Sequence, residues 1–403
     1  MRQVKRALVV GGSMSGLLAG LTLSRRGWDV ALYERVAEPL AGRGAGIVAQ
    51  PELKATLRTL GLEADRELGV EVARRVMFGR DGSLTHRVSC AQTMTAWDRV
   101  FHLLQAAFPQ ARYHRGRELR GIEQGADSVV AHFADGASAQ GDLLIGADGI
   151  RSTVRQQYLP QLSPRYAGYA AWRGLVAEAA FPPELHATLF ADFAFCLPPN
   201  QQMLGYPVAG PDNDLRPGHR RYNFVWYRPA SEARELPRLL TDESGRTHAL
   251  SIPPPLIARA VVARMRAAAA AVLAPQFNAM LALCAQPFLQ PIYDLEVPRM
   301  AFGRVAILGD AAFVARPHVG AGVAKAAADA GALADALAAH DEVATALRAF
   351  EAARRPVGQR IIARARHLGA YVQADLSTEA ERRSAERHRA PEAVLAETAV
   401  MDF

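Results

Sequence analysis

The first apolar stretch is short and unbroken. In KRALVV, residues 5–10, two cations give way to four apolar positions, and the run stops at Gly11. A run of that length bounded by glycine predicts a buried strand. LLAGLTLSRRG then spaces its apolar residues as a helix does, as far as Gly27. DVALYE returns to the strand pattern and closes at Glu34-Arg35. Strand, helix and strand in roughly thirty residues make one βαβ unit.

Further on, GRGAGIVAQPELKATLRTLG predicts a glycine-rich loop and then an amphipathic helix ending at Gly61. HRVSC reads as β structure and TAWDRVFHLLQAAF as a helix. Residues 128–133 and 142–147 read as strands joined by a turn at Asp135-Gly136. From about 155 to 295 the texture becomes aromatic and alternating, as in YAGYAAWRGLV, HATLFADFAFCL, QMLGYPVAG and RYNFVWYR. That pattern predicts a mixed or antiparallel sheet in a second domain. Residues 255–284 predict Ala-rich helix broken at Pro275, RVAILGD returns to the buried-strand pattern, and the last sixty residues predict helices. The Glu- and Arg-dense tail after Ser377 predicts a surface helix or a frayed end, and nothing in it points to a function.

Composition narrows this picture only a little. The 403 residues are 50% hydrophobic and 22% charged, ordinary for a soluble globular protein of two or three domains. The formal charge is +7, but the arginines are scattered, with no dense basic block and no interleaved aromatic stripe. This argues against nucleic acid as partner and for a solvated surface with some anion-holding sites. MRQVKR and the apolar stretch behind it imitate a secretory leader, yet the glycines interrupt that stretch and it runs on into a second strand. No segment is apolar and long enough to cross a bilayer, so no membrane partner is expected. Cys90, Cys196 and Cys284 are far apart and form no CxxC, so neither a metal site nor a disulfide framework is expected, and the cytoplasm fits.

The candidate chemistry lies at the turns. VVGGSMSGL puts Gly11, Ser13 and Gly16 in the spacing of a dinucleotide-binding turn. The first glycine permits the tight turn, a small residue at 13 lets a pyrophosphate approach, and Gly16 lets helix pack on sheet. Glu34 ends the next strand, where a carboxylate can accept bonds from ribose hydroxyls. A glycine-rich turn in an unrelated α/β domain is the plainer reading, and the motif does not choose between NAD and FAD. Arg35 either stacks on an adenine or faces solvent. Arg43, in GRGAGI, offers a cation to a diphosphate or a flavin edge, or is a solvated loop residue. Asp148, in LLIGADGIRSTVR, is either part of a site or a plain turn residue before a capped helix.

RVAILGDAAFVARPHVGAGVAKAAADA places Asp310 directly after a buried strand and opens a helix at Gly320 and Gly322. The carboxylate can accept bonds from a polyol, and the helix amino end favours negative charge before it. Pro317 and His318 would line the wall beside a reactive edge. The bland alternative is a helix cap and a loose turn.

Taken in order, these motifs resemble the class A flavoprotein aromatic hydroxylases, the FAD-dependent monooxygenases of the para-hydroxybenzoate hydroxylase type. GGSMSGLLAG, YAGYAAWRG, RYNFVWY and LGDAAFVARPHVGAG are most similar to the 2,6-dihydroxypyridine 3-hydroxylase branch. The resemblance implies an α/β fold: a Rossmann-like FAD-binding domain with an interleaved mixed β-sheet substrate domain and a helical C-terminus. The FAD-binding domain would comprise residues 1–75, 101–160 and 296–340, the substrate domain 76–100 and 161–295, and the C-terminal helices 341–403.

It also implies roles. Gly11, Ser13, Met14 and Gly16 would meet the pyrophosphate, and Glu34 and Arg35 the adenosine end. Arg43 and Val48 would approach pyrophosphate and flavin. Asp310 would hold the ribityl chain, and Gly320, Ala321, Gly322 and Val323 the pyrimidine edge. Asp148 would bridge FAD and the nicotinamide path. Many members direct an Arg at FAD from the helix near residue 95. Here Trp97 stands in that place and Arg99 is out of phase, so a Trp would pack on the flavin instead.

The implied reaction consumes NADH or NADPH, which binds transiently since no second glycine-rich motif appears. Oxygen would form a flavin C4a-hydroperoxide that hydroxylates an electron-rich aromatic or N-heteroaromatic ring, in a site kept dry. Candidate catalytic residues are His318, Gln50 and Tyr206, with Cys196, Trp226 and Pro317 on the substrate pocket. His318 has the ordinary range for proton transfer at neutral pH. The reading admits a homodimer. A halogenase lacks support because its WxWxIP element is absent. A prenyl-lipid reductase and a non-catalytic flavin-binding protein stay open at this stage.

Overall fold

The computed structural model describes residues 4–40, 46–62 and 68–401. Arg43 and the first part of the GRGAGI loop lie outside the described residues. The chain opens with β1 (Arg6–Val10), α1 (Met14–Arg25) and β2 (Asp29–Glu34), as the apolar pattern predicts. It leaves for β3 (Gly46–Val48), α2 (Pro51–Thr59), β4 (Val70–Phe78) and β5 (Leu84–Ala96), and returns through α3 (Trp97–Ala107) to β6 (Tyr113–Arg115). A ribbon of β7 (Leu119–Gln124), β8 (Val129–Phe133) and β9 (Ser138–Gly141) leads to β10 (Leu143–Gly146) and α4 (Thr153–Tyr158). The second excursion carries β11 (Arg165–Ala177), α5 (Pro183–Leu189), β12 (Phe193–Cys196), β13 (Gln202–Val208) and β14 (Arg221–Pro229). It continues through α6 (Glu235–Leu239), α7 (Arg259–Val272), α8 (Pro275–Leu283) and β15 (Phe288–Glu296). The chain closes with β16 (Ala301–Phe302), β17 (Val305–Ile307), β18 (Phe313–Val314), α9 (Gly322–Ala339), α10 (Val343–Gly369), α11 (Glu379–Arg387) and α12 (Pro391–Glu397).

Three returns of the chain build one six-stranded sheet, ordered β16-β17-β10-β1-β2-β6. From β17 to β6 every neighbouring pair is parallel, and β1 lies between β10 and β2. Connections leave β1 and β10 in opposite senses, so a crevice opens beyond their carboxyl ends, where α/β sheets bind ligands. β1, β10 and β17 are buried on both faces, which is why they read as unbroken apolar runs. α9 packs on α1 and α10 against this layer.

The excursions build a nine-stranded mixed sheet, ordered β18-β15-β11-β14-β13-β12-β4-β5-β3. Period-2 alternation splits its side chains into two cores. Trp172, Cys196, Phe224 and Trp226 face the helices α5–α8. Tyr169, Phe193, Leu204, Tyr206, Val225 and Tyr227 face the other way, toward the six-stranded domain.

β3, β6 and β7 were not predicted, and β9 was invisible to the hydrophobic pattern. The Asp135-Gly136 turn joins β8 to β9, a polar strand with three of its four residues accessible, and residues 143–146 belong to the other sheet. The tail is also more ordered than its composition suggests. Thr378 and Glu381 form a reciprocal capping box that starts α11.

Candidate active site

β1 delivers its last residue, Val10, to the crevice, and Gly11 turns the chain with φ +107°. A Cβ there would lie 2.3 Å from the carbonyl oxygen of Ala147, at the end of β10. At Gly16 a Cβ would lie 1.8 Å from the Gly11 carbonyl oxygen. Both positions therefore require glycine, and α1 presses its amino end onto the turn. Ser13 caps α1 through backbone geometry alone, with no side-chain bond to the first turn. The first N–H groups of a helix have no partner within it, so this end is built to meet an anion.

With the flavin dinucleotide that the resemblance implies, Gly11→Ala is expected to yield folded protein carrying less than about a tenth of the wild-type flavin, because a side chain at such a φ costs about 1–3 kcal/mol and pushes β1 and β10 apart. The ratio of flavin to protein absorbance reads the effect, and full flavin content would contradict it.

Glu34 ends β2 with its carboxylate turned back on the loop. One oxygen accepts the N–H of Gly12 and the other that of Val36, each at 2.8 Å. Tyr113 donates its hydroxyl to the Gly12 carbonyl at 2.7 Å, and burial followed by the Glu34 charge pushes its pKa up to about 12. Glu34 thus braces the turn, and each oxygen keeps a further lone pair for a sugar hydroxyl.

A cavity of ≈ 350 Å³ runs from here. Gly11, Ser13, Met14, Glu34, Arg35, Trp97, Asp148 and Asp310 are among the residues that line it. Trp97 stacks on Phe101 with ring centroids 4.8 Å apart. Asp148 accepts from Val154 N–H at 3.2 Å, so it does cap the turn before α4, but its Oδ1 is buried with no partner. Asp310 follows β17 on a turn at Gly309, φ +61°, where a Cβ would strike Ser15 of α1. The early glycine turn and Asp310, some 300 positions apart in the chain, are thus brought to one place.

Asp310, Gly322 and Val323 also line a second cavity of ≈ 200 Å³, so the two adjoin at these residues. This chamber lies against the inward face of the nine-stranded sheet, with Phe193, Leu204, Tyr206, Val225 and Tyr227 on that wall. Val48 of β3, Pro317, His318 and Gly320 to Val323 close other sides. Drug-sized ligands take roughly 300–1,000 Å³, so the chamber suits a single small ring rather than a lipid.

Arg173 of β11 enters the chamber, and the sequence reading missed it. It donates to Gln290 Oε1 at 2.9 Å and to the Gly46 carbonyl at 3.4 Å, both neutral acceptors, and its Nε has no partner among the described residues. By contrast, Arg316 is spent on a bidentate pair with Asp294, at 2.8–3.1 Å. Burial raises the pKa of Tyr206, which stays at about 12 with Arg173 pulling it down, so the phenol is a neutral donor at pH 7. The only cue to Arg173 was YAAWRG, where alternation places Ala171 and Arg173 on one face.

His318 is 2% exposed, with Nε2 3.0 Å from the Tyr169 hydroxyl and Nδ1 without a partner among the described residues. Burial, then the Arg316 charge and His388, push its pKa down to about 3. It is therefore a neutral imidazole at physiological pH, contrary to the ordinary value expected from sequence. Two pocket expectations also fail. Cys196 and Trp226 lie on the far face of the sheet, because β12 and β14 present Phe193, Val225 and Tyr227 inward. Gln50 stands outside the chamber, in a neighbouring groove, and donates to the Ala399 carbonyl at 3.0 Å.

That bond reveals the other element that sequence reading missed. Thr398 and Ala399, at the end of the tail, form part of the chamber wall. Ala399 adopts φ +52°, donates to the His318 carbonyl at 2.7 Å and accepts from Gln50 and Gln92. Behind it, Glu397 is held by Arg364 at 2.8 Å and by Arg387, and fully buried Arg75 grips the Leu395 carbonyl at 2.6 Å. No local pattern in the tail announces this docking.

Comparison with known proteins agrees with the geometry. The FAD binding domain-like family matches residues 166–294, and the FAD binding domain family matches 292–365. The chain is 32% identical over 368 residues to 2,6-dihydroxypyridine 3-monooxygenase of Paenarthrobacter nicotinovorans, covering 91% of each protein. It is 30% identical to the FAD-dependent urate hydroxylase of Klebsiella pneumoniae, covering 87% of this chain and 85% of the other. The solved structure of 2,6-dihydroxypyridine-3-hydroxylase from Arthrobacter nicotinovorans superposes with a TM-score of 0.87 at 31% identity, over 94% of this chain and 95% of that one.

Proposed function

Because this chain belongs to the FAD-dependent aromatic-ring monooxygenases, we propose that it hydroxylates a small, hydroxylated aromatic or N-heteroaromatic ring at the expense of NADH or NADPH. Ring C–H, dioxygen, NAD(P)H and a proton give ring C–OH, NAD(P)⁺ and water. The observation that carries the reading is that Asp310 lines both the pyrophosphate cradle and an adjoining ring-sized chamber that holds Arg173 without a charged partner among the described residues.

The residues fit FAD. Gly11 and Gly16 let the turn and α1 pack on neighbouring backbone and leave the amino end of α1 facing the cavity, the Asp148 Oδ1 has no donor among the described residues, and the Asp310 side chain opens onto the channel. Gly11, Ser13, Met14 and Gly16 would hold the pyrophosphate, Glu34 and Arg35 the adenosine end, and Asp310 the ribityl chain. Gly320 to Val323 and the amino end of α9 would meet the pyrimidine edge, with Val48 and Trp97 beside the ring. When bound, FAD supplies hydride acceptance and oxygen activation.

The protein's own groups do the rest. Arg173 favours a ring hydroxyl in its ionised form, which makes the ring more electron-rich. Tyr206 offers a neutral hydroxyl at the same wall. His318 is hydrogen-bonded to Tyr169 across 3.0 Å and stays neutral, so it offers the chamber a fixed neutral imidazole rather than a titrating base. Phe193, Pro317 and the Thr398–Ala399 segment keep water from the reacting face. Among the described residues no helix is long and apolar enough to cross a membrane, and the three cysteines are free, which supports a reducing, cytoplasmic setting. A homodimer remains part of the proposal.

The test is to purify the yellow protein and screen hydroxypyridines and hydroxybenzoates for stimulated NAD(P)H consumption under ¹⁸O₂. A product heavier by one labelled oxygen atom is expected. NAD(P)H oxidation that no ring compound stimulates would support a non-catalytic flavoprotein instead.

A further inference from the structure

α9 is built of small apolar residues, and Ala324, Ala326 and Ala327 are buried on it. Among them stands Lys325, 1% exposed. Its ammonium has no hydrogen-bond partner among the described residues, and the Asp310 carboxylate lies 3.9 Å away. Burying a charge with so little compensation is costly, and an apolar side chain of similar shape would be cheaper there. Asp310 is the contrasting case, because about half of its side chain is accessible and it lines the cofactor channel.

The charges around this pair are arranged in sequence. Asp329, one turn beyond Lys325 on α9, accepts from the Gly309 N–H at 3.2 Å and from Arg354 of α10 at 2.7 Å. Asp329 is thereby satisfied, and its remaining influence on Asp310 is repulsive. Desolvation raises the Asp310 pKa, Lys325 pulls it back down, and Asp329 adds a smaller push upward.

We propose that Lys325 is a positioning residue for the cofactor: its buried Nζ, 3.9 Å from the carboxylate, holds the Asp310 side chain turned into the channel as an acceptor for the sugar-alcohol hydroxyls of FAD. This rests on the reading of Asp310 as a cofactor contact. Lys325 itself lines neither cavity, so it acts through Asp310.

The experiment is a double-mutant cycle on FAD release from the full-chain holoenzyme, followed by the rise in flavin fluorescence after dilution. Lys325→Met is expected to release FAD at least about tenfold faster, with unchanged far-ultraviolet circular dichroism in excess FAD. Asp310→Asn is expected to release it at least as fast. In the Asp310→Asn background, Lys325→Met should change release by less than about threefold, because non-additivity marks a residue acting through its neighbour. If Lys325→Met does not accumulate as folded protein, Lys325→Gln carries the same test. Wild-type release from the Lys325 variant, or effects that multiply in the double variant, would overturn the proposal. Wild-type release from Asp310→Asn would instead overturn the reading of Asp310 on which it stands.

Discussion

Replacing Arg173 by methionine lowers kcat/KM for the ring substrate by about two to three orders of magnitude, while flavin content and flavin absorbance stay at wild-type values. The expectation follows from what the guanidinium is not doing. Its two protein bonds go to neutral acceptors, one of them long at 3.4 Å, so the fold loses little without it. A ring oxyanion in the chamber would be its one charged partner. Removing one member of a buried, hydrogen-bonded charge pair costs about 2–5 kcal/mol, and each 1.4 kcal/mol is about tenfold. Methionine preserves the volume and keeps the β11 alternation intact. Steady-state kinetics with the substrate found in the ring screen measure the loss, and a ring compound without an ionisable hydroxyl is the control. A variant that keeps more than about a third of wild-type kcat/KM would remove Arg173 from the site.

Deleting residues from Thr398 onward leaves a protein that still binds FAD and oxidises NAD(P)H, but that forms less than about a quarter of the product per NAD(P)H and releases the balance as hydrogen peroxide. Gly11, Ser13, Glu34 and Asp148 line a cavity that this segment does not reach, and its closest approach to the cofactor residues is Ala399 against Gly320. What leaves is the Thr398–Ala399 wall of the chamber and the bond from Ala399 to the His318 carbonyl. Water then reaches the face where oxygen is activated, and exclusion of water is what prevents that side reaction. Product and peroxide measured against NAD(P)H consumed decide the point. A truncated chain that couples as tightly as the full one would show that the segment is packing alone.

The cofactor half of the site was legible because its demands are local. A left-handed turn at Gly11 and a helix pressed against a carbonyl at Gly16 exclude every side chain, so the requirement is written as residue type at fixed spacing. Glu34 and Asp310 follow strands that are apolar on both faces, and an apolar run ending in an acid is visible without coordinates. In the same way, alternation in YAGYAAWRG and RYNFVWY established the aromatic sheet.

Alternation says which residues share a face but not which face meets the cofactor. That choice placed Phe193, Tyr227 and Arg173 in the chamber and sent Cys196 and Trp226 behind it. It depends on where α5–α8 and the six-stranded domain pack, an energy summed over many distant contacts with no short signature. Burial of His318 beside Arg316, the unsatisfied ammonium of Lys325 and the docking of Ala399 are of the same kind. Each depends on what long-range packing puts next to a side chain, whereas the glycines and turn acids answer to the backbone at their own position. The chain's residue order alone determined a dinucleotide cradle, an acid brought to it and an aromatic sheet. Tertiary packing decided which side chains meet the ring, which charges stay uncompensated and what shuts out water.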